Sequence, residues 1–329
     1  MRAVVITHAG GPEALEIRDV PRPEPGPGEV LVRVRATALN RADVLQREGR
    51  YPAPAGAPPD IPGLELAGEV VANGSGATRW PSGARVFGIV GGGAHAEYVT
   101  TSQDALAAIP DDMSWEEAGA VPEAFITAHD ALITQAALAA GETVLIHAVA
   151  SGVGLAAVQI ARGWGAIPFG TTRTSGKLEA AREVGLEDGI AVGRDLDVLG
   201  PAVERWTGGR GIDVTLDLVG GPYFIASTKI AASRGRLMIV GSLGGGTSDF
   251  PLGLVLRKRL VIRGTVLRSR SLAEKVDATA RFEREVVPLL ATGRARPVID
   301  SVYPLEQIAD AHRRMESNES VGKVVILPP

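Results

Sequence analysis

The stretch Ala150-Ser151-Gly152-Val153-Gly154-Leu155-Ala156-Ala157 constrains the fold of this chain more than any other. It follows an apolar run, 143–149, and opens a segment, 153–164, with helical spacing of its apolar residues. A GxGxxA string between a buried strand and a helix describes the first turn of a dinucleotide-binding βαβ unit. In that unit Gly152 permits the tight turn. Gly154 lets a pyrophosphate approach a backbone without a Cβ, and Ala157 lets the helix lie close on the sheet. The N–H groups at the helix start carry partial positive charge and suit a phosphate. The competing reading is an ordinary strand-turn-helix corner with no ligand; the flanking strand and helix favour the first.

The next segment bears on which nucleotide is bound. Residues 166–170 read as the second strand, and Thr171-Thr172-Arg173-Thr174-Ser175-Gly176-Lys177 follows. An NAD site places an acid roughly 20 residues after the glycines to hold the ribose 2′-hydroxyl. Here the first acid is Glu179, and the window holds Arg173 with hydroxyls beside it and Lys177 nearby. Cationic donors suit a 2′-phosphate, which an acid would repel. The spacing therefore points to NADPH. The alternative leaves Arg173 and Lys177 as solvated loop charges.

A chain of 329 residues suits two domains, and a 45% hydrophobic composition can fill two cores. The net charge of −4 gives no electrostatic footprint for nucleic acid or for an anionic membrane. No Cys is present, which excludes disulfides, a thiolate metal site and a cysteine nucleophile. No apolar run reaches the roughly 18 residues needed to span a bilayer, and the first residues are too short and polar for a signal peptide. A cytoplasmic location is the expectation.

Three stretches organise the chain. Residues 1–122, rich in Pro and Gly, contain short β-like segments at 2–6, 15–19, 29–36, 65–71, 85–89 and 95–100, which suggests a compact barrel-like β domain. Residues 123–266 alternate strand and helix. After the first two βα units come a strand near Ile190, a helix at 196–206, a strand at 212–219, a helix at 223–232, and strands at 236–241 and 260–266. Six strands with crossover helices make a doubly wound parallel sheet. The tail, 267–329, lacks apolar strands enough for a core of its own and is expected to return to the first domain.

Ligands of such sheets bind outside the carboxyl ends of the strands. Those ends fall at 149–154, 171–173, 217–221, 240–243 and 265–267. The candidate cofactor residues are accordingly Ser151, Gly152, Val153, Gly154, Thr171, Thr172, Arg173, Lys177, Val219, Gly220, Gly241, Ser242, Leu243, Thr265, Val266 and Leu267. Asp217, inside its strand, reads as a hydrogen-bonded scaffold residue, and His147 as a satisfied core histidine. The five His show no metal-ligand spacing. No acid/base pair stands out, so the cofactor is expected to carry the hard step while the protein binds and orients.

Several motifs together resemble the quinone oxidoreductase branch of the zinc-free medium-chain dehydrogenase/reductases, most nearly the p53-inducible type, with zeta-crystallin-like enzymes as cousins. They are Ala38-Leu-Asn-Arg-Ala-Asp-Val-Leu-Gln46, Tyr51-Pro52, Pro62-Gly-Leu-Glu-Leu-Ala-Gly68, Gly91-Gly-Gly-Ala-His-Ala-Glu-Tyr-Val99, Pro122-Glu-Ala-Phe-Ile-Thr-Ala128, Ser151-Gly-Val-Gly154 and Leu267-Arg-Ser-Arg270. The match runs nearly end to end. It implies an α/β architecture: a GroES-like, β-barrel-type catalytic domain (1–122 with 267–329) and a Rossmann domain (123–266) with a doubly wound six-stranded parallel sheet. Zinc-dependent relatives carry a Cys where this chain has Asn40 and a His where it has Leu64, so no metal is expected. The resemblance implies Asn40 and Tyr51 at the nicotinamide and quinone, Thr127 at the nicotinamide end, and Lys177 with the residues near Arg173 at the 2′-phosphate. On the residues alone, Tyr51 reads equally as a surface ring and Asn40 as the cap of a helix beginning at Arg41. Relatives often have a Tyr near the adenosine after the third strand; Ile190-Ala-Val-Gly193 has no ring.

The expectation is an NADPH-dependent quinone reductase that takes a small-molecule quinone in the cleft between its domains. It binds no nucleic acid and no membrane, and forms a homodimer through the edge strand at 260–266, with 236–241 at or near the seam. The rival enzyme is an NADPH-dependent reductase of activated C=C bonds in enones or enoyl groups. A rival of another class is a non-catalytic NADPH-binding or RNA-binding protein.

Overall fold

A computed structural model describes residues 1–193, 195–247, 249 and 251–329. The chain forms two compact units, Met1–Ile126 with Leu267–Pro329, and Thr127–Val266. The first unit thus runs past residue 122. The continuous helix Pro122–His129, not a linker, occupies the expected boundary.

In the second unit a six-stranded sheet has the order Asp188–Ala191, Ile167–Thr172, Thr143–Ile146, Ile212–Asp217, Ala231–Ile239, Val261–Gly264. Every pairing is parallel. In chain order this reads 3-2-1-4-5-6, the Rossmann arrangement, in which the strand order reverses beside the first strand. The first strand is buried on both faces, with Val144, Leu145 and Ile146 all at 0% exposure, as central parallel strands require. The helix Gly152–Gly163 follows it and buries Leu155, Ala156, Ala157, Val158, Ile160 and Ala161. A core of Leu145, Phe169, Val192, Leu199, Val203, Ile212 and Ile230 fills one side, with Trp206 stacked on Phe169 at a centroid separation of 4.6 Å.

Two strands and one helix of this unit depart most from the sequence expectation. The fifth strand spans Ala231–Ile239 where 236–241 is expected, and the last spans only Val261–Gly264. A helix, Leu252–Lys258, joins them and is not foreseen. Its leucines stay outside, Leu252 at 66% and Leu256 at 78% exposure, so no buried amphipathic face signals it.

The first unit is built on a seven-stranded sheet. Its main path is Ile299–Pro304, Lys323–Leu327, Glu29–Leu39, Glu65–Asn73, Arg85–Ile89, Leu106–Ala108, and Tyr98–Ser102 pairs with Glu29–Leu39. All pairs are antiparallel except the first. The long strand Glu29–Leu39 organises it, pairing with three others. Its inward Val30, Val32 and Val34 pack on Leu66, Val70, Val86 and Leu106. The tail strand Lys323–Leu327 joins this sheet, with Val325 opposite Ala38. The β-rich stretch also contains the helix Arg41–Arg47, beginning where the capping reading of Asn40 puts it, and the helix Trp115–Gly119, too short to show a helical period.

Candidate functional site

The phosphate turn of the second unit is made differently from its motif reading. Ala148, not Gly152, takes the left-handed conformation, at φ 50°. Gly152 is the first residue of the helix. Gly154 answers to the fold itself: a Cβ there would lie 2.5 Å from the carbonyl oxygen of Val149 and 2.7 Å from that of Ala148. Its smallness lets the helix seat on the strand end. Ser151 caps the helix, its Oγ accepting the Gly154 N–H at 3.1 Å. Ser151, Gly152 and Val153 are only partly buried, so the helix start stays accessible.

Around that turn the strand ends divide into supports and accessible groups. Thr171 and Thr172 are buried, and their hydroxyls are engaged within the fold. Thr171 Oγ1 lies 2.9 Å from His147 Nδ1, and Thr172 Oγ1 donates to the carbonyl of Thr174 at 2.8 Å. These two threonines support the loop through their side chains in this arrangement. His147 is fully buried, and its Nε2 lies 2.8 Å from Ser227 Oγ. Ser227 donates its own proton to the Tyr223 carbonyl at 2.8 Å, so it must accept from Nε2–H, and Nδ1 accepts from Thr171. Burial pushes the imidazole down to about 4, which keeps it neutral at pH 7.

Asp217, 1% exposed, ends the fourth strand. Its Oδ1 accepts from the N–H of Val219 at 2.9 Å and of Gly220 at 2.8 Å, which fixes that loop. Gly220 is left-handed at φ 71°, and a Cβ on Gly241 would meet the Leu218 carbonyl at 2.5 Å, so two loops meet backbone to backbone. Ser242 and Leu243 are exposed. Thr265 Oγ1 donates to Asp130 Oδ2 at 3.3 Å, and Val266 is 45% exposed. Thr127, the first residue of this unit, is buried. Leu267, the residue after Val266 along the chain, is buried. Arg173 is exposed and Lys177 partly so, in the loop that leaves the second strand. A capped but accessible helix start and two cations with no acid among them form a donor set that fits a nucleotide with a 2′-phosphate.

In the first unit Asn40 stands at the start of the helix Arg41–Arg47, where the Asp43 carboxylate accepts its backbone N–H at 2.8 Å. Its side chain turns elsewhere. Nδ2 donates to Glu65 Oε1 at 2.7 Å and to the Ala38 carbonyl at 3.2 Å, and Oδ1 accepts from Lys323 Nζ at 2.7 Å. Lys323 also lies 2.7 Å from Glu65 Oε1. Both side chains of that ion pair are almost completely buried, at 5% and 0%. The other oxygen of Glu65 accepts the backbone N–H of Glu123 at 2.8 Å. A resident ammonium thus occupies the neighbourhood of the positions that ligate zinc in metal-dependent relatives. Among the described residues no group of three or more His, Cys, Asp or Glu is placed to hold a metal ion. The residues at this place do not fit zinc.

Tyr51, also in this unit, is half-buried. The Arg268 guanidinium is 5.2 Å from its ring centroid, a cation–π distance. Arg268 is itself pinned: it donates to Gln46 Oε1 at 2.5 Å, to the Gly91 carbonyl at 2.9 Å and to the Tyr51 carbonyl at 3.4 Å. Burial holds the Tyr51 phenol above its ordinary range, with Arg268 opposing and Glu123 adding. Burial likewise raises Glu123 to about 7, reinforced by Glu65 and Asp43 and opposed by Lys323 and Arg268. Lys275 is pushed below the usual lysine range by burial, with Glu123 opposing.

Sequence reasoning names Asn40 and Tyr51 here but not Glu65, Lys323, Glu123, Arg268 or Lys275. The signals were slight. Lys323 is a lone charge at the head of an apolar strand, and Glu123 is an acid in a helix first turn, where a solvated carboxylate is commonplace.

Comparison with known proteins matches residues 26–111 to the family described as alcohol dehydrogenase GroES-like domain and residues 188–326 to that described as zinc-binding dehydrogenase. A quinone oxidoreductase of Pseudomonas aeruginosa is 36% identical over 97% of this chain and 97% of its own. A mycobacterial structure solved in complex with NADPH superposes with a TM-score of 0.88 at 29% identity, covering 100% of both chains. The CurK enoyl reductase superposes with a TM-score of 0.86 at 30% identity, covering 100% of this chain and 99% of its own.

Proposed function

The chain belongs to the medium-chain dehydrogenase/reductase superfamily, and on that footing we propose that it is an NADPH-dependent quinone reductase that works without zinc. The observation that carries the quinone reading is its end-to-end likeness to a quinone oxidoreductase. The NADPH reading is supported by Arg173 and Lys177 in a segment with no acid.

When bound, the nicotinamide supplies the hydride that reduces the acceptor. The protein's part is to bind and orient. Ser151, Gly152 and Val153 present the start of the helix Gly152–Gly163 to the pyrophosphate. Arg173 and Lys177 hold the 2′-phosphate by charge-assisted hydrogen bonds. The Asp217-fixed loop of Val219 and Gly220 and the neighbouring Gly241, Ser242 and Leu243 offer backbone and side chain along the nucleotide. In the first unit the Tyr51 ring, held by Arg268, and the Asn40 amide, held by Glu65 and Lys323, are the polar handles for nicotinamide and acceptor. The gain is chiefly proximity and orientation. The strand Val261–Gly264 is a sheet edge, and Val261 is 49% exposed on it. Pairing of that edge with a second copy makes a two-fold dimer.

A second reading, reduction of an activated C=C bond, is favoured by the likeness to an enoyl reductase. Steady-state NADPH oxidation with 9,10-phenanthrenequinone, 1,4-benzoquinone and an enone, measured side by side, separates the two. The proposal expects turnover with the quinones to dominate. Faster turnover of the enone replaces it with the second reading, and no oxidation with any acceptor removes both.

A further inference from the structure

Glu123 sits in the first turn of the helix Pro122–His129, its backbone anchored by the 2.8 Å hydrogen bond to Glu65. Part of the residue's surface remains exposed. Among the described residues its carboxyl takes part in no hydrogen bond with protein. What surrounds it is charge. Glu65 and Lys323 face it from two sheet strands, and Asp43 from the helix Arg41–Arg47. Arg268 and Tyr51 face it from loops, and Lys275 from the helix Leu272–Glu285. Buried side chains hold each other in this unit by fixed hydrogen bonds, as Glu65, Lys323, Asn40 and Arg268 do. Glu123 is instead an acid whose carboxyl makes no hydrogen bond among the described residues, near enough for its charge to act on the phenol assigned to the acceptor.

We propose that Glu123 is the proton donor of the acceptor site, delivering from its carboxyl the proton that completes reduction of a quinone held at Tyr51. This rests on the quinone reductase reading. Hydride transfer from a reduced nicotinamide leaves the quinone as the hydroquinone monoanion, two electrons richer. The O–H bond of the Glu123 carboxyl then breaks and one O–H bond forms on the anionic oxygen. No electrons change hands in that step. The Glu123 carboxylate regains its proton from water, through the part of its surface that stays open. A donor in this role works best when it can both give and recover a proton near the working pH. Burial among two further carboxylates supplies that property, since it raises the acid to about 7.

The test uses the full-length protein and its Glu123→Gln and Lys275→Met variants. With saturating NADPH and 1,4-benzoquinone, wild-type kcat is expected to fall as pH rises through about 7. Glu123→Gln keeps the shape and the backbone hydrogen bond. It should abolish that limb and lower kcat at pH 6 by about a hundredfold or more, the lower end of what general acids contribute. Lys275→Met removes a cation that stabilises the charged carboxylate, so the limb should move to higher pH, a shift that a merely structural role does not produce. A titration followed by infrared absorption on the nucleotide-free protein gives an independent readout: a protonated-carboxyl band that titrates near 7 in wild type and is missing in Glu123→Gln. If wild type reduces quinones and Glu123→Gln keeps both its kcat and its pH profile, the inference falls alone. If no titrating carboxyl band distinguishes the two proteins, it falls as well. A wild type that reduces no quinone overturns this inference together with the reading beneath it, while the infrared titration still reports the Glu123 carboxyl separately.

Discussion

Lys323→Met tests whether the buried ion pair organises the first unit. The lysine Nζ reaches Glu65 Oε1 and Asn40 Oδ1 at 2.7 Å each and the Leu39 carbonyl at 3.4 Å, so its donors are all engaged inside the protein. Methionine nearly matches its length and keeps the packing of the stem, but leaves the Glu65 carboxylate buried at 0% exposure without its cation. Glu65 then retains only the Asn40 amide and the Glu123 N–H. Removing one partner of a buried pair costs about 3–5 kcal/mol, because the remaining charge is uncompensated. At about 2–4 °C per kcal/mol for a unit of this size, Tm of the first unit should drop by roughly 6–20 °C. Calorimetry and urea denaturation measure this. The double variant Lys323→Met with Glu65→Gln removes the orphaned charge and should regain about 2 kcal/mol or more relative to the single variant. A single variant that loses less than about 1 kcal/mol, or a double variant no more stable than the single, refutes the claim that the pair is tightly buried and mutually dependent.

Arg173→Ala should raise KM for NADPH by one to two decades, the equivalent of roughly 1.5–3 kcal/mol for a charge-assisted contact, and leave NADH use nearly unchanged; equal loss with both nucleotides assigns Arg173 another role. Lys177→Ala should act in the same direction more weakly, and Arg173→Asp more strongly, by repelling the phosphate. Tyr51→Ala should lower quinone turnover more than it weakens NADPH binding, with Tyr51→Phe isolating the hydroxyl; full kcat and KM in both variants would make Tyr51 a bystander. Elemental analysis should find no stoichiometric zinc and EDTA should leave activity unchanged, whereas one zinc per subunit needed for turnover defeats the reading of Asn40, Leu64 and Lys323. Light scattering at micromolar concentration should report a dimer, and Val261→Lys on the exposed edge strand should shift it toward monomer; a wild-type monomer would end the edge-pairing proposal.

Local pattern was enough for the parallel sheet. Apolar runs such as 143–149 and helix-spaced segments such as 153–164 are dictated by burial on two faces and on one, and those periods survive in sequence whatever lies around them. The acid-free run before Glu179 is likewise local. Where packing was absent the pattern failed, as at the helix Leu252–Lys258, whose leucines remain in solvent. The tight-turn role of Gly152 was misassigned for a related reason. A motif shows that Gly154 has no Cβ, but only the fold shows that the Val149 and Ala148 carbonyls fill the space, and that the tight conformation falls on Ala148. Beyond Asn40 and Tyr51, which a family resemblance names, the polar cluster of the first unit could not be read along the chain. Asn40, Glu65, Glu123, Arg268 and Lys323 come from distant segments, and each alone is an ordinary polar residue. The tertiary structure removes them from water and sets their charges against one another, and desolvation together with those fixed neighbours is what turns Glu123 from a routine helix-start carboxylate into an acid poised near neutrality.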